Sequence, residues 1–135
     1  MKVFISHSQR DRKLAAELAT QLKAAGFEPW NSESELFPGD NWALATGKAL
    51  EKSDAMVVLV SRESMKSEWV RREIDFALVS QRYDGRLIPV ILESQAEMPW
   101  IFQNLYSVNG MENRDEIGSR IIEELTRVGV SDSIG

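Results

Sequence analysis

The chain has 135 residues, the length of a single domain that can bury a hydrophobic core. Its 43% hydrophobic and 27% charged residues are ordinary values for a globular protein. A net charge of -5 argues against nucleic acid as the main partner. The absence of cysteine excludes disulfides, thiolate metal sites and cysteine nucleophiles.

The first residues lack the pattern of a targeting segment. Met1 leads directly into the short apolar stretch Val3-Phe4-Ile5, with no cationic start and no long apolar run after it. A signal peptide or a membrane-spanning helix needs a longer apolar segment. We therefore expect a cytoplasmic protein with no membrane partner.

A strand and a helix are predicted at the start of the chain. Residues 2–6 are apolar and rich in branched and aromatic side chains, which is typical of a short buried strand. Ser8-Gln9-Arg10-Asp11 has the hydroxyl-x-x-acid spacing of a helix start, and Gly26 is a suitable end for that helix.

The next segment contains an unusually long connection. Residues 27–30 predict a second strand, and residues 31–41 follow as a loop with a turn at Pro38-Gly39. Asp40 is a suitable cap for a second helix, in which Trp42 and three later apolar residues have helical spacing.

The second half continues the alternation. Residues 55–60 form the most continuous apolar run, which predicts a central strand, and residues 67–78 predict an amphipathic helix capped by Ser67. Residues 86–92 predict a fourth strand with Pro89 near its start or at an edge, and residues 105–108 a short fifth strand.

The last helix is expected to begin at Asp115 and to end at Gly129. We predict one domain over residues 1–130 and a flexible tail over residues 131–135. Strands that alternate with helices predict an α/β fold with crossover connections. The expected architecture is a flavodoxin-like, doubly wound sheet of five parallel strands in the order 2-1-3-4-5, with helices on both faces.

This topology predicts where a ligand would bind. The crevice of such a sheet opens at the carboxyl ends of strands one and three, where residues 6–8 and 61–66 emerge. The second of these segments leads into the helix that carries Glu73. At roughly 100° per residue, Glu73 lies on the apolar flank of that helix, between aromatic Trp69 and Phe76 on one side and Val70 on the other.

Glu73 has two interpretations. Charged residues are rarely buried without a partner, so the simpler interpretation is a partly exposed helix acid. Carboxylates with perturbed pKa values also cluster in functional clefts, which favours an active role.

Two families with this outline do not fit. A phosphorelay receiver needs paired acids after strand one and an aspartate at the end of strand three, where this chain has Ser6-His7-Ser8 and Val60-Ser61. A flavodoxin needs a phosphate-binding loop rich in glycine and hydroxyl residues after strand one, which Ser8-Gln9-Arg10-Asp11 does not supply.

Four motifs, in order, resemble the Toll/interleukin receptor (TIR) domain of bacteria. They are Val3-Phe4-Ile5-Ser6-His7-Ser8, the stretch from Trp30-Asn31 to Pro38-Gly39-Asp40, the segment Ser67-Glu68-Trp69-Val70-Arg71-Arg72-Glu73, and Ile88-Pro89-Val90. The third resembles the Ser-x-Trp-x-x-x-Glu segment of members that cleave NAD+. The chain departs from the pattern at Asn31, where many relatives have aspartate.

The resemblance implies that the protein hydrolyses the bond between nicotinamide and ribose in NAD+, giving ADP-ribose or a cyclic isomer. NAD+ is then the substrate, and neither a cofactor nor a metal is needed. Glu73 would be the catalytic carboxylate, and the substrate-binding residues would be Phe4, Ser6, Ser8, Trp69, Phe37 and Asp40. Phe37 and Asp40 belong to the loop over residues 31–41, which is called the BB loop in TIR domains. This loop would close the pocket or contact a neighbouring chain.

Some of these residues have simpler alternatives. Ser6 and Ser8 also suit turn and capping roles, Arg10 suits a solvated helix start, and Trp30 and Trp42 have the spacing of core residues. The sole histidine, His7, is interpreted as structural.

The resemblance further implies homotypic TIR–TIR self-association and a role in immune or antiphage signalling. Two other functions stay open on the sequence alone. One is a non-catalytic TIR module that acts only by association, and the other is a hydrolase of a different N-glycoside.

Overall fold

The computed structural model describes residues 1–31, 42–94 and 98–134. Its centre is one parallel sheet in the order β2-β1-β3-β4-β5, which confirms the predicted topology. The strands are β1 (Lys2–Ser6), β2 (Glu28–Trp30), β3 (Ala55–Val60), β4 (Leu87–Ile91) and β5 (Val108–Asn109).

In the described ranges, five α-helices connect and cover the strands. They are α1 (Arg12–Ala24), α2 (Trp42–Lys52), α3 (Arg62–Lys66), α4 (Glu68–Val79) and α5 (Ile117–Ile134). Four short 3-10 turns lie at Gln9–Asp11, Gln81–Tyr83, Trp100–Asn104 and Arg114–Glu116. Within the described ranges, no helix is both long and apolar enough to cross a membrane.

The sheet is buried on both faces, because β3 is wholly apolar and every one of its residues is buried. On one face, β1 and β3 pack against α1 and α5 through Val3, Ile5, Leu18 and Ile121. On the other face, Phe4 and Met56 pack against α2 and α4. Each fully buried aliphatic or aromatic side chain stabilises the fold by about 1.5–3 kcal/mol, so the sheet is firmly held between two helical layers.

Several element boundaries differ from those predicted. Phe27 lies outside β2, because its N–H donates to the Leu22 carbonyl in the turn that closes α1, so β2 begins one residue later. Leu105 closes a 3-10 turn through a bond to Phe102, and the fifth strand therefore begins only at Val108.

The prediction that Gly129 ends the last helix is wrong, since α5 continues to Ile134. A glycine cap needs a positive φ, and among the described glycines only Gly26 and Gly85 have one. The division into a domain over residues 1–130 and a flexible tail over 131–135 stays a prediction.

Pro89 lies in the middle of β4 rather than at its start or at a sheet edge. Arg86 and Leu92 bond to β3 through their backbones, so the alternation of the strand turns the Pro89 nitrogen toward β5. The β5 ladder begins only opposite Val90. The missing N–H of Pro89 therefore removes no ladder hydrogen bond.

Candidate active site

Two serine-capped helices form one wall of the predicted crevice. The Ser61 hydroxyl accepts a hydrogen bond from the Ser64 N–H at 3.1 Å, and the Ser64 hydroxyl accepts one from the Ser61 N–H at 2.8 Å. Ser67 then caps α4 by accepting from the Val70 N–H at 3.3 Å, which confirms its predicted role. α3 begins directly after β3, α4 follows α3, and α4 contacts the neighbouring strand β1.

Glu73 lies on the buried face of α4. Its neighbours along that face, Val70, Ile74 and Ala77, are all buried, and Glu73 itself is only 6% exposed. The interpretation of Glu73 as a partly exposed helix acid is therefore wrong. A carboxyl group at such a position needs a hydrogen-bond partner.

Ser6, the last residue of β1, supplies that partner. Its hydroxyl donates to Glu73 Oε1 at 2.6 Å, and Ser6 is 1% exposed. Burial raises the pKa of Glu73 from 4.5 to about 7, while the hydrogen bond from Ser6 lowers it. The carboxyl group thus changes its charge near neutral pH, in surroundings where water screens that charge weakly.

Aromatic side chains flank this carboxyl group. Trp69 is partly buried and lies one helical turn before Glu73 on α4. Phe4 precedes Ser6 by two residues and therefore lies on the same face of β1. It is buried and stacks against Trp30, with ring centroids 5.0 Å apart and planes inclined by 16°. The structure thus brings Ser6 and Glu73 together at the end of β1, with Phe4 on the same strand face and Trp69 one turn away on α4.

Ser8 is joined to a different acid. Its hydroxyl donates to Asp11 Oδ2 at 3.0 Å, and the same oxygen accepts the Ser61 hydroxyl at 2.6 Å. The expectation of a reciprocal capping motif over residues 8–11 is wrong, because neither Ser8 nor Asp11 makes a side-chain cap bond at the helix that follows it.

These elements meet at the carboxyl end of the sheet in a recognisable order. The model of the family described as "TIR domain" matches residues 3–125. The chain belongs to the TIR domain family. The motifs at residues 3–8, at residues 67–73 and around β4 therefore lie within the matched part of this TIR domain.

Two curated relatives are named for NAD(+) hydrolysis and for the synthesis of 2' cyclic ADP-D-ribose. This TIR domain is 36% identical over 91 residues to the NAD(+) hydrolase PdTIR of Paracoccus denitrificans, a match over 65% of this chain and 30% of the relative. It is 29% identical over 86 residues to the 2' cyclic ADP-D-ribose synthase BtTIR of Bacteroides thetaiotaomicron, over 63% of this chain and 30% of the relative. The matched segments thus span less than a third of either relative.

A solved structure supports the fold. The TIR domain of the Toll-related receptor TRR-2 from Hydra magnipapillata superposes with a TM-score of 0.73 at 21% identity, and the match covers 93% of this chain and 94% of that one. At this identity the likeness concerns the fold alone.

Other candidate residues of this TIR domain fall elsewhere. Phe37 and Asp40 lie outside the described residues, and their predicted substrate contacts stay predictions. Asn31, the position that departs from the family pattern, is 2% exposed. The His7 Nδ1 lies 3.3 Å from the Ile5 carbonyl oxygen, as expected for a structural histidine. Arg10 is exposed and lies 3.9 Å from Glu63.

Asp11 and Ser61 lie close to the site, and the sequence alone does not predict this role for them. Ser61 is the first polar residue after the apolar run of β3, and Asp11 follows Ser8 by three positions. These signals place both residues near the crevice, but they do not show that the two side chains bind each other. In the described part of the chain, no three potential ligands are grouped as a metal site would require.

Proposed function

We propose that this TIR domain cleaves the bond between nicotinamide and ribose in NAD+, with Glu73 as the catalytic carboxylate. The observation that carries the proposal is the placement of Glu73, which is buried against Ser6 at the carboxyl end of β1. This is the crevice in which doubly wound sheets bind ligands. The similarity to relatives named NAD(+) hydrolase and 2' cyclic ADP-D-ribose synthase supports the choice of substrate.

The chemistry needs only one carboxylate. The pyridinium nitrogen of NAD+ already carries a positive charge, so nicotinamide takes the bonding electron pair and departs as a neutral molecule without a general acid. The positive charge moves to the ribose as an oxocarbenium ion. The ionised Glu73 stabilises that charge, and it does so strongly because the site is largely shielded from water.

The raised pKa of Glu73 is compatible with this role. A bound pyridinium cation next to the carboxyl group favours its ionised form and lowers the pKa below about 7. Substrate binding thus produces the charge that the transition state requires. Water then attacks the ribose carbon to give ADP-ribose and a proton. Attack by a hydroxyl group of the other ribose of the substrate, which also releases a proton, gives a cyclic isomer.

A purely structural TIR module gives no reason for this arrangement. A buried carboxyl group destabilises the fold at neutral pH, because its charged form loses hydration. A scaffold that acts only by association would gain stability from an apolar residue or a glutamine at position 73. This loss of stability is explained if Glu73 is the catalytic group.

We further infer that the domain works as a head-to-tail assembly in immune or antiphage signalling in the cytoplasm. The support is the length of the connection over residues 31–41 and its apolar pair Leu36-Phe37 beside the Pro38-Gly39 turn. In this proposal the loop of one chain completes the crevice of the next. A head-to-tail contact need not close, so it can extend into filaments.

The deciding experiment measures nicotinamide released from NAD+ by chromatography. The wild-type chain should release it, and Glu73→Gln should lower the rate by about a hundredfold or more, because one preorganised electrostatic contact is lost. Glu124→Gln is the matched control, since Glu124 is also buried, at 7% exposure, but pairs with Arg127 on α5. A Glu73→Gln variant as active as Glu124→Gln would exclude Glu73 as the catalytic group.

A further inference from the structure

Asp11 occupies a helix-capping position without capping. It is the residue before α1, where an aspartate usually accepts a hydrogen bond from a backbone N–H of the first turn. Its side chain makes no such bond. One oxygen, Oδ2, instead accepts two hydroxyl protons, one from Ser8 and one from Ser61, which is buried at the end of β3.

The orientation of the Ser61 hydroxyl is fixed from both sides. Its oxygen accepts the Ser64 N–H in the first turn of α3, and its proton points to Asp11 at 2.6 Å. A hydrogen bond to a charged acceptor is shorter and stronger than a neutral one. The start of α3 is thereby attached to the segment that follows β1.

These bonds close a ring around the crevice. Ser8 lies two residues after Ser6, which donates to Glu73 on α4. Ser67 is both the C-cap of α3 and the N-cap of α4, so the two helices are joined through a single residue. The ring therefore runs from Glu73 through Ser6 to Asp11, across to Ser61, and back along α3 to α4. Asp11 joins its two halves through the Ser8 and Ser61 hydroxyls.

We propose that Asp11 is a positioning residue for the cleavage reaction, holding the segment after β1 and the start of α3 at the separation that places Ser6 against Glu73. The inference rests on the proposed function. Asp11 does not touch the reacting atoms. It acts through Ser8 and Ser61, and loss of its carboxylate lets the two walls of the crevice move apart.

Four variants test this assignment. Asp11→Ala removes both hydrogen bonds, and Asp11→Asn keeps an oxygen that accepts hydrogen bonds at the same distance from the backbone. Asn113→Ala is a matched control for stability, because the Asn113 side chain accepts the Asp115 N–H before α5, beyond β5. Glu63→Ala removes the exposed ion pair between Glu63 and Arg10. This ion pair links the segment after β1 to α3 at the surface.

The main measurement is kcat and KM for NAD+ per folded chain, well below each Tm. We expect Asp11→Ala to lower kcat by about tenfold to a hundredfold with little change in KM, because a displaced carboxylate mainly loses interactions with the transition state. Asp11→Asn should recover most of that loss. The Asn113→Ala and Glu63→Ala variants should keep the wild-type kcat, even where their Tm falls.

A second measurement tests the link itself and needs no activity. Asp11→Ala and Ser61→Ala should lower Tm less in combination than the sum of their separate effects, because both remove the same hydrogen bond. Additive losses would show that the two side chains are not coupled and would overturn the inference.

The positioning role of Asp11 and the proposed function can be overturned separately. An active wild-type chain with an unchanged kcat in Asp11→Ala would overturn the positioning role and leave the proposed function intact. A wild-type chain that released no nicotinamide at any protein concentration would overturn the proposed function and the role of Asp11 in it.

Discussion

At the scale of single residues, Glu73 combines two opposing requirements. Burial on the same helix face as Val70 and Ile74 removes water from the carboxyl group, which disfavours its charge. Catalysis needs that charge in the presence of a cation. The Ser6 hydroxyl meets both requirements, because its short hydrogen bond stabilises the ionised carboxylate without removing its charge.

The raised pKa of Glu73 predicts a pH-dependent stability difference. Below pH 4.5, the pKa of this group in the unfolded chain, Glu73 is neutral in both states and its burial costs little. As the pH rises from 4.5 to about 7, its pKa in the folded state, the folded state loses stability. Glu73→Gln has no such ionisation. The free energy of unfolding of the variant, relative to that of the wild type, should therefore increase by on the order of 3 kcal/mol between pH 4.5 and pH 8.

Urea unfolding of both proteins at several pH values measures this difference. Control unfolding curves with Glu68→Gln, an exposed acid in the first turn of the same helix, separate the effect of burial from that of net charge. A stability difference between Glu73→Gln and wild type that did not change with pH would contradict the burial of an ionisable group.

Trp69 contributes packing and a wall beside the carboxyl group. Because its side chain is only partly buried, Trp69→Ala should cost less than the roughly 3–5 kcal/mol of a fully buried tryptophan. We expect a moderate fall in Tm together with a larger loss of NAD+ cleavage, measured by thermal unfolding and nicotinamide release. Full activity in the variant would remove Trp69 from the site.

At the scale of elements, the site depends on how α4 begins. The exposed residues of the helix, Glu68, Arg71, Arg72 and Asp75, face solvent as the sequence predicts. Leu78, an apolar residue near the end of the helix, is 37% exposed. The helix packs on the sheet through Val70, Ile74 and Ala77, and its C-terminal end extends beyond that contact.

The Ser67 cap predicts a defined loss of stability. Ser67→Ala leaves the Val70 N–H without its side-chain acceptor and should cost about 1 kcal/mol, whereas Ser67→Asp should retain most of the stability. Thr126→Ala is the comparison, since the Thr126 hydroxyl bonds within its own helix to the Ile122 carbonyl. Equal and negligible losses in chemical unfolding for Ser67→Ala and Thr126→Ala would argue against the cap.

At the scale of the whole molecule, the proposed assembly makes activity depend on concentration. If the loop of a neighbouring chain completes each crevice, dilute chains should be largely monomeric and weakly active. Specific activity should then rise with concentration or crowding. Light scattering and NAD+ turnover on the same dilution series measure both properties.

Phe37→Asp separates assembly from chemistry. The charge should prevent the apolar contact and keep the protein monomeric and inactive although Glu73 is unchanged. Leu44→Asp is a suitable control, because Leu44 is 56% exposed on α2 and lies outside the loop. Specific activity that stayed constant from the dilute monomer upward would show that one chain forms the complete site.

The strand order, the family and the position of Glu73 on the apolar flank of its helix can all be predicted from the sequence. These features follow from local patterns: the apolar run of residues 55–60, alternation of strands with helices, and the motif over residues 67–73. Local patterns do not report which distant side chains meet. The tertiary structure shows that Glu73 is buried between α4 and the sheet, which raises its pKa to about 7, and that its hydrogen-bond partner is Ser6, 67 residues away. The bond between Asp11 and Ser61 spans 50 residues and arises because parallel strands end at the same edge of the sheet.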